Sequence, residues 1–465
     1  MKNRTNMSWT NTQKSALTIA AITSFLNPFL ISAVNVALPA IEKAFGMDAV
    51  TLSWVITSYL LSSAILLLPM GKMADMRGIK KIFTIGVVIF SITTFLCGIA
   101  YSGTMLIVFR VIQGIGGSMT MTTAPAILVM AFPQEQRGRV LGISVSAVYL
   151  GLATGPFVGG ILTQQLGWRS VFIISSLFGL FAAIITFLFL GKDKKEKIQA
   201  PIDISGSITY ALALMALVFG SSKIPETTGW LLLATGALLL GTFVFIENRS
   251  QNPVIDLRLF SKNRLFAFSN IAALINYSAT FAIVFLLSLY LQKIQLLSPQ
   301  KAGTILLAQP LVMAILSPVA GQWSDRIQPR YLSSLGMALS AIGLLWMVFL
   351  NQETSHTVIV LNLILVGLGF ALFSSPNMNT IMSSVNKDQY AIASGVSSSM
   401  RVVGQIVSMT IVTFFMAWFL GKSSIMEVSN ALFMNSVKWA FSAFSLLAFV
   451  GVYFSMARGN IQRAK

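Results

Sequence analysis

The stretch Gly151-Leu152-Ala153-Thr154-Gly155-Pro156-Phe157-Val158-Gly159-Gly160 lies inside a long apolar segment that runs from about residue 139 to residue 164. Gly151, Gly155 and Gly159 are four residues apart, so in a helix they share one face that a neighbouring backbone can approach closely. Pro156 has no N–H group, so the carbonyl of Leu152 loses its helical partner and the helix is expected to bend. The stretch, which ends at Gly160, predicts either a tight, kinked helix contact or a hinge in a helix that rocks.

The composition predicts a helical membrane protein. The chain has 465 residues, of which 55% are hydrophobic and only 10% are charged, whereas soluble proteins carry roughly 25% charged residues. Apolar runs long enough to cross a bilayer recur along almost the whole length. We therefore expect an all-α polytopic membrane protein with about fourteen transmembrane helices, at roughly residues 15–40, 51–72, 82–101, 105–132, 139–165, 168–191, 205–222, 228–247, 265–292, 300–322, 331–350, 357–382, 390–420 and 434–456.

The net charge of +18 reflects membrane topology rather than a nucleic-acid partner. The basic residues sit in short clusters between the apolar spans. Of these residues, 23 fall in the two ends and in the loops that share their side, against 7 on the opposite side. Because Lys and Arg are enriched in cytoplasmic loops, both termini are predicted to be cytoplasmic.

No residue pattern predicts an enzyme, a metal site or a cofactor. The single cysteine, Cys97, lies inside an apolar span, and the single histidine, His356, falls in a short polar link. No pair of residues resembles a hydrolytic or redox site. We therefore expect a protein without catalytic residues, bound metal or cofactor.

The end of the second predicted span is echoed at the end of the tenth. Gly71-Lys72-Met73-Ala74-Asp75 and Gly321-Gln322-Trp323-Ser324-Asp325 both run Gly-x-x-x-Asp and then reach an arginine, at Arg77 and Arg326. Two such junctions predict two related halves, a common plan among transporters. We expect a cytoplasmic N-terminus, a six-helix half, a linker with two extra transmembrane helices, a second six-helix half and a cytoplasmic C-terminus, at residues 1–14, 15–191, 192–264, 265–456 and 457–465.

Several motifs together resemble the major facilitator superfamily. The segment from Gly71 to Lys81 looks like its loop 2–3 signature, and Arg110-Val111-Ile112-Gln113-Gly114-Ile115-Gly116-Gly117 resembles its fourth-helix motif. The Gly151–Gly160 stretch resembles the fifth-helix motif of exporters. Asn35-Val36-Ala37-Leu38-Pro39 is similar to the first helix of the fourteen-helix drug:proton antiporter family, and the same family is matched at Trp168–Phe172 and Pro253–Phe260.

This resemblance spans roughly residues 15–420 and implies a transporter that exposes a central cavity to each side of the membrane in turn. Members of the family exchange protons for amphipathic drugs, and many confer multidrug resistance on bacteria. The resemblance therefore implies a multi-pass protein of a bacterial plasma membrane. We expect a monomer whose partners are small amphipathic substrates, protons and the lipid bilayer.

The two Gly-x-x-x-Asp junctions are candidates for a conformational switch. Asp75 lies just before the third helix, where a carboxylate can accept from unpaired N–H groups, and Gly71 is expected to let another helix approach. The resemblance implies a latch that holds one conformation. The alternative is a capped helix whose charges only set topology. The predicted switch residues are Gly71, Asp75, Arg77, Gly78, Gly321, Asp325 and Arg326.

Two arginines lie within predicted spans. Arg110 is about five residues, or roughly 8 Å, inside the outer end of the fourth helix, on the same face as Gln113. The resemblance links this arginine to proton transfer, and the alternative is that it snorkels to the outer interface. Arg401 lies about 16 Å inside the thirteenth helix, near the membrane midplane and on the side of Gln405. It is expected to face a cavity or another helix, or else to bond backbone carbonyls without a transport role.

Further polar residues in the predicted spans could line the cavity or hydrogen-bond neighbouring helices. The predicted proton and substrate pathway, with the two arginines included, comprises Arg110, Gln113, Arg401, Gln405, Asn27, Asn35, Asn276, Tyr277 and Gln309.

The acidic residues depart from the family pattern. The first helix of the family carries an aspartate five residues before Asn35, and here that position is Leu30. All 14 acidic residues fall in loops or at span ends, with Asp75, Glu247 and Asp325 nearest the membrane. Proton coupling needs a group that titrates, which arginine does not supply.

The absence of a mid-membrane acid predicts a cavity of positive potential that suits neutral, zwitterionic or anionic amphiphiles. If protons are coupled, Asp75 is the expected carrier. The leading hypothesis is a secondary active exporter of amphiphiles that exchanges protons. One rival is an exporter or flippase for anionic or lipid-like substrates without ordinary carboxylate coupling. The other is a membrane sensor that binds ligand without moving it.

Overall fold

The structure is a computed structural model, and it describes residues 9–189, 203–250, 253, 257–385, 390–421 and 423–460. Within those ranges the side chains of residues 75, 134–139, 141, 142, 145, 258, 325 and 390–392 are not described. The side chains of the predicted switch residues Asp75 and Asp325 therefore lie outside the described residues, as do residues 1–8 and residues 254–256 of the predicted motif at 253–260.

The regular secondary structure of the described residues is helical. In chain order the helices are α1 (Asn11–Phe45), α2 (Ala49–Arg77), α3 (Ile79–Gly98), α4 (Gly103–Ala131), α5 (Gln134–Leu166), α6 (Arg169–Phe189), α7 (Ile204–Ser222), α8 (Thr227–Arg249), α9 (Leu257–Lys262), α10 (Arg264–Thr280), α11 (Ile283–Lys293), α12 (Pro299–Leu306), α13 (Ala308–Arg326), α14 (Pro329–Met347), α15 (His356–Ser383), α16 (Tyr390–Leu420) and α17 (Asn430–Ala457).

Thirteen segments of the described chain are long and apolar enough to cross a membrane. One of them joins α10 to α11, and another joins α12 to α13. The 19-residue helix α14 is not among the thirteen, but it corresponds to the predicted span at 331–350 and packs against α15 and α17. The predicted all-α membrane architecture is confirmed.

Helix α1 is longer than its hydropathy predicts. A capping box between Thr10 and Gln13 starts it, and it runs through Pro28 and Pro39 without ending. It stops only at Gly46, whose φ of 62° is a left-handed conformation that glycine adopts without steric cost. The predicted span at 15–40 therefore omits the last turn, which carries Glu42.

The helices pack as two groups with a hairpin across them. Helices α1–α6 form the N-terminal group, and α10–α17 form the C-terminal group. The groups meet where α5 contacts α12 and α13, where α2 contacts α16, and where α1 contacts α11. The hairpin of α7 and α8 touches both groups: Trp54 of α2 packs on Phe219 with ring centroids 4.6 Å apart, and Trp230 of α8 packs on Phe414 of α16 at 6.1 Å.

Two ends of the bundle can be distinguished. We call the end that carries the start of α1 and the end of α17 the terminal face, and the other end the far face. Near the far face, Ser288 donates to the carbonyl of Asn35 at 2.8 Å, and Gln292 donates to that of Val36 at 3.0 Å. Ser53 of α2 bonds Thr413 of α16 at 3.0 Å. These bonds hold the two groups together toward the far face.

Candidate transport pathway

The glycine face of α5 lies against α1. A Cβ at Gly155 would stand 2.6 Å from Cβ of Ser32, and one at Gly159 would stand 2.6 Å from Cβ of Ala33. A Cβ at Gly151 would likewise clash with the carbonyl oxygen of Phe25 and stand 3.1 Å from the backbone nitrogen of Phe29. The three glycines therefore let α5 and α1 approach more closely than side chains would permit.

The opposite side of the same stretch faces the other helix group. A Cβ at Gly160 would stand 2.6 Å from the carbonyl oxygen of Pro299, at the start of α12. Gly303 of α12 packs in turn against the backbone of Pro156. The Gly151–Gly160 stretch thus makes one contact within its group and another between the groups.

The carbonyl of Leu152, which Pro156 leaves without a helical partner, accepts a hydrogen bond from another helix. The hydroxyl of Ser32 on α1 donates to the carbonyl oxygen of Leu152 at 3.3 Å. A freed carbonyl within a membrane is tolerated where a neighbouring Ser or Thr satisfies it. The role of Pro156 as a hinge remains a prediction.

Arg110 is fully enclosed, with 0% of its surface exposed. Its Nε donates to the carbonyl of Val55 at 2.8 Å, and its Nη1 donates to Oε1 of Gln113 at 2.6 Å. Its guanidinium also lies 4.5 Å from the ring centroid of Tyr59, a cation–π distance. The alternative in which Arg110 snorkels to an interface is therefore wrong.

The contacts of Arg110 extend across four helices. Gln113 donates to Oγ1 of Thr94 on α3 at 2.6 Å. The hydroxyl of Tyr59 on α2 donates to Asn27 of α1, which itself donates to the carbonyl of Thr23 at 2.9 Å. None of the described residues that contact Arg110 is a carboxylate. The structure joins the predicted residues Arg110, Gln113 and Asn27 in one network. Tyr59 and Thr94 also belong to this network, and the sequence did not predict them.

Arg401 sits in a more open place between the groups. It is half-buried, and Gly404 on the same helix packs against the backbone of α10 beside Tyr277. The guanidinium of Arg401 lies close enough to act electrostatically on the Tyr277 hydroxyl. No backbone carbonyl among the described residues accepts a hydrogen bond from Arg401, so the structure does not supply the bonds that the purely structural alternative requires.

Residues of both groups lie around Tyr277, the neighbour of this arginine. The ring of Tyr277 on α10 packs edge-on against Phe370 of α15, with centroids 5.6 Å apart. The hydroxyl of Tyr149, on α5 of the N-terminal group, lies 3.1 Å from that of Ser374, which also neighbours Tyr277. The cluster therefore joins α5 of one group to α10, α15 and α16 of the other.

The remaining predicted pathway residues are dispersed. Asn35, Asn276 and Gln309 are buried, and each has a side-chain oxygen without a partner. Gln405 is half-buried one turn beyond Arg401. Among the residues that the structure describes, no hydrogen bond joins these four side chains to either arginine.

The predicted switch residues lie at the terminal face. Gly78 has a φ of 106°, which favours glycine, and it separates α2 from α3. Arg77 and Arg326 are exposed at the ends of α2 and α13. A Cβ at Gly71 would meet open space, and Gly321 makes only an ordinary contact at 3.7 Å with Ser375. No other helix approaches Gly71 in this conformation, and its role in a switch stays a prediction.

The terminal end of the hairpin lies beside the first of these motifs. Asp203 caps α7, where it accepts from the N–H of Gly206 at 2.8 Å and from Ser205 at 2.7 Å. Burial alone would raise the pKa of Asp203, but these hydrogen bonds, one from Ser250 and the charge of Lys72 hold that pKa below its usual range. The hairpin is thus linked electrostatically to the Gly71–Lys81 motif.

Sequence reasoning did not predict the burial of Glu42, Glu247, Lys293 and Arg458. Arg458, placed by the sequence in the C-terminal tail, is 2% exposed and donates to Asn377 at 2.6 Å and to the carbonyl of Pro329 at 2.8 Å. Glu42 and Lys293 are 2% and 7% exposed near the far face. A signal for Glu42 was present, because it lies seven residues after Asn35 and so shares its helix face.

Comparison with known proteins identifies the class of this transporter. The model of the Major Facilitator Superfamily matches residues 20–409 and 269–463. The chain belongs to this superfamily, and it is a multi-pass membrane transporter rather than an enzyme. The family recognised from the sequence motifs is confirmed.

Individual relatives cover most of the chain. It is 32% identical over 370 residues to the riboflavin transporter RibZ of Clostridioides difficile, covering 79% of this chain and 80% of that protein. It is 30% identical to the multidrug resistance protein Stp of Mycobacterium tuberculosis, covering 81% and 71%. The cephamycin export protein CmcT of Amycolatopsis lactamdurans is also 30% identical, covering 85% and 83%.

A solved structure shares the fold. The crystal structure of a bacterial homologue of the human lysosomal transporter Spinster, in an inward-facing and unoccupied conformation, matches with a TM-score of 0.70. The match covers 96% of this chain and 97% of that one, at 17% sequence identity. This similarity establishes the fold.

Proposed function

We propose that the protein exports small amphipathic compounds across a bacterial plasma membrane by alternating access, in exchange for protons. The observation that carries this proposal is the distribution of bonds between the two helix groups, which gather toward the far face. Relatives named as a multidrug resistance protein and as an export protein support the direction of transport. Alternating access requires these far-face bonds to break while the terminal face closes.

The contact between α5 and α12 suits such a movement. It consists of Gly160 and Gly303 against backbone atoms, with a hydrogen bond from the N–H of Gln300 to Gln164 at 3.3 Å. Few interlocking side chains have to be withdrawn for it to separate. The α5–α1 contact continues over three glycines, so α5 is expected to move with the N-terminal group. Pro156 then lies where α5 meets the moving partner.

Arg401 is the proposed substrate-facing residue. It is half-buried, and its neighbour Tyr277 belongs to a cluster drawn from both helix groups. A charge at this depth is tolerated only when it faces a protein interior or a watered cavity. A cavity with this arginine favours neutral, zwitterionic or anionic amphiphiles over cations. The oxygen atoms of Gln309, Asn276 and Asn35 that lack partners are further candidates for contact with substrate.

The first test is drug-driven proton release from proteoliposomes that hold an imposed pH gradient. Cationic, neutral and anionic amphiphiles are added in turn, with an Arg401→Ala variant and protein-free liposomes as controls. Release with neutral or anionic compounds, lost in Arg401→Ala, is the expected result. Release with cations alone would overturn the proposed substrate class. Binding without movement of any compound would favour a membrane sensor.

The second candidate function is an exporter or flippase of anionic or lipid-like substrates without carboxylate-based coupling. It is favoured by the Arg110 network, which contains no carboxylate among its partners. In the same proteoliposomes, substrate movement without proton release would select it. An Asp75→Asn variant separates the routes further, because full proton exchange in this variant would remove Asp75 from the proton pathway.

The remaining predictions of topology and organisation stand as part of the proposal. Both termini are cytoplasmic, so the terminal face is the inner one, and the protein acts as a monomer. The two helix groups are the six-helix halves at 15–191 and 265–456, with the hairpin inserted between them. The Gly71–Arg77 and Gly321–Arg326 junctions act as the terminal-face latch when the far face opens.

A further inference from the structure

Near the far face, a buried carboxylate lies between the two helix groups. Glu42 stands in the last turn of α1 and is 2% exposed. Its Oε1 accepts from the hydroxyl of Ser424 at 2.6 Å and from the N–H of Met426 at 2.9 Å. Both donors belong to the connection between α16 and α17, in the C-terminal group. Its second oxygen, Oε2, is buried and has no hydrogen-bond partner.

The same connection is held from two other helices. Lys293, at the end of α11, donates to the carbonyls of Met426 at 3.2 Å and Val428 at 2.9 Å rather than to Glu42. The N–H of Ala49 at the start of α2 donates to the carbonyl of Ser423 at 3.1 Å. We call Glu42, Lys293 and residues 423–428 the far-face clasp. Opening the far face by separating the groups must detach the connection from Glu42 and from Ala49.

A crevice leads to the clasp. It has a volume of about 580 Å³ and is lined by Glu42 together with Lys43, Asp48, Ser424 and Glu427. Among the described residues, the charged groups around Glu42 are Lys43 on its own helix, Asp48 at the start of α2, Glu427 on the connection and Lys293 on α11. Lys43 and Glu427 are exposed, so solvent screens them. Water and protons can reach the edge of the clasp from the far face.

We propose that Glu42 is a proton-binding group that couples the far-face clasp to the pH outside: it is neutral while the clasp is closed and ionised once the clasp opens. This inference deepens the proposed function, on which it rests, by naming a carboxylate through which protons outside control the opening of the far face. On closing, Oε2 takes one proton from water on the far side. On opening, the O–H bond breaks and the proton returns to that water.

The geometry fixes the sign of this coupling. A neutral carboxyl keeps both hydrogen bonds, because Ser424 and Met426 donate to Oε1 alone. An ionised group would bury the charged oxygen Oε2 without a hydrogen-bond partner, which is costly. Lys293 and the nearby backbone N–H of Ile425 favour the anion, but neither gives Oε2 a hydrogen bond. In the open state water solvates both oxygens, so ionisation is restored, and by linkage acid outside favours closure.

The test measures far-face opening through a buried reporter. Cys97 is the only cysteine and is buried, so a Cys97→Ser background is free of thiols. Ser288→Cys, at a position with 0% exposure between α11 and α1, reports opening through its reaction with a membrane-impermeant maleimide added outside intact cells. Thr228→Cys, exposed near the far face on α8, corrects for the effect of pH on the maleimide reaction itself.

Labelling of Ser288→Cys relative to Thr228→Cys is measured from about pH 5 to about pH 8. With Glu42 present, we expect the ratio to rise severalfold as the pH rises. Glu42→Gln, which imitates the neutral group, should stay low at every pH. Glu42→Ala removes the acceptor of two hydrogen bonds, so its ratio should be high and independent of pH, about fivefold or more above Glu42→Gln. Ser424→Ala removes one donor and should lie between.

Three results would overturn the inference. A ratio independent of pH with Glu42 present would reject the proton linkage. Labelling of Glu42→Gln as strong as that of Glu42→Ala would reject closure by the neutral group. A Ser424→Ala variant indistinguishable from the parent would reject the clasp, and this variant and Glu42→Gln decide the matter even if Glu42→Ala does not reach the membrane.

The test also separates this inference from the proposed function. Labelling needs no substrate, so it can follow the expected pattern in a protein that exports none of the amphiphiles tried. If Ser288→Cys is never labelled while Thr228→Cys is, the far face does not open, and alternating access and the clasp both fail. Labelling that ignores pH while transport continues would remove only the role of Glu42.

Discussion

Arg110 and Arg401 are both cationic residues within membrane-spanning helices, and their surroundings differ in kind. Arg110 is fully enclosed, and its contacts come from α2 and α4 of its own helix group. Arg401 is half-buried, and its cluster draws on α5 of one group and on α10 and α15 of the other. A residue whose neighbours move with it has constant surroundings. A residue between moving bodies changes its surroundings in every cycle, which is what a pathway requires.

The largest effect that tests this difference is expected from Arg110→Ala. The change removes the guanidinium donor from the carbonyl oxygen of Val55 and from the amide oxygen of Gln113, at about 1–3 kcal/mol each. We expect a loss of roughly 3 kcal/mol or more in stability, seen as low membrane abundance and a lower melting temperature in detergent. Arg110→Lys should not rescue it, because an ammonium lacks the planar fork that reaches both partners.

The matched change, Arg401→Ala, should leave abundance and melting temperature close to those of the parent. Export should fall by about tenfold or more, equivalent to about 1.4 kcal/mol in the transport barrier, because the charge that we propose faces the substrate is gone. Transport into inverted vesicles measures this directly. Normal export by Arg401→Ala, or a stability loss equal to that of Arg110→Ala, would erase the distinction between the two sites.

Gly160→Leu and Gly155→Leu compare a contact between the helix groups with a contact inside one group, both on α5. The new side chain would meet the backbone of α12 between the groups, where a Cβ already stands 2.6 Å from the Pro299 carbonyl. We expect the far face to be forced open, with labelling of Ser288→Cys raised severalfold at unchanged abundance. Gly155→Leu, which strikes Ser32 within the N-terminal group, should instead lower abundance by destabilising the group itself, by about 1–3 kcal/mol.

The smallest effect is expected from Ser32→Ala. It removes the hydroxyl that donates to the Leu152 carbonyl, and hydrogen bonds of this kind between membrane helices are worth about 0.6 kcal/mol on average. A melting temperature lowered by only a degree or two is expected, with export retained. A large loss of export at unchanged stability would mean that the bond controls the bend at Pro156 and not only its stability.

The sequence was informative where a signal was local. The spacing of Gly151, Gly155 and Gly159 predicts a helix contact, and the structure supplies α1 as the partner. The pair Arg110 and Gln113 is three residues apart on one helix, so its bond could be anticipated. Tyr59 and Thr94 come from other helices. Their participation depends on how those helices rotate and cross, which hydropathy does not encode.

The buried acid was missed for a different reason. Hydropathy falls after Pro39, so the sequence predicts that the first span ends near residue 40 and that Glu42 lies just outside it. The helix in fact continues to Gly46, and the connection between α16 and α17 covers its last turn. Glu42 is buried by a segment far along the chain: its bonding partner Met426 lies 384 residues after it. No local window could reveal it.

The α7–α8 hairpin makes the two sides of the bundle unequal. It lies over the seam between α2 and α16, where Trp54 packs on Phe219 and Trp230 packs on Phe414. The seam between α5 and α13 has no such cover among the described residues. Compounds dissolved in the lipid leaflet therefore meet a shielded flank on one side and a bare one on the other, so any sideways entrance from the bilayer is restricted to the flank of α5.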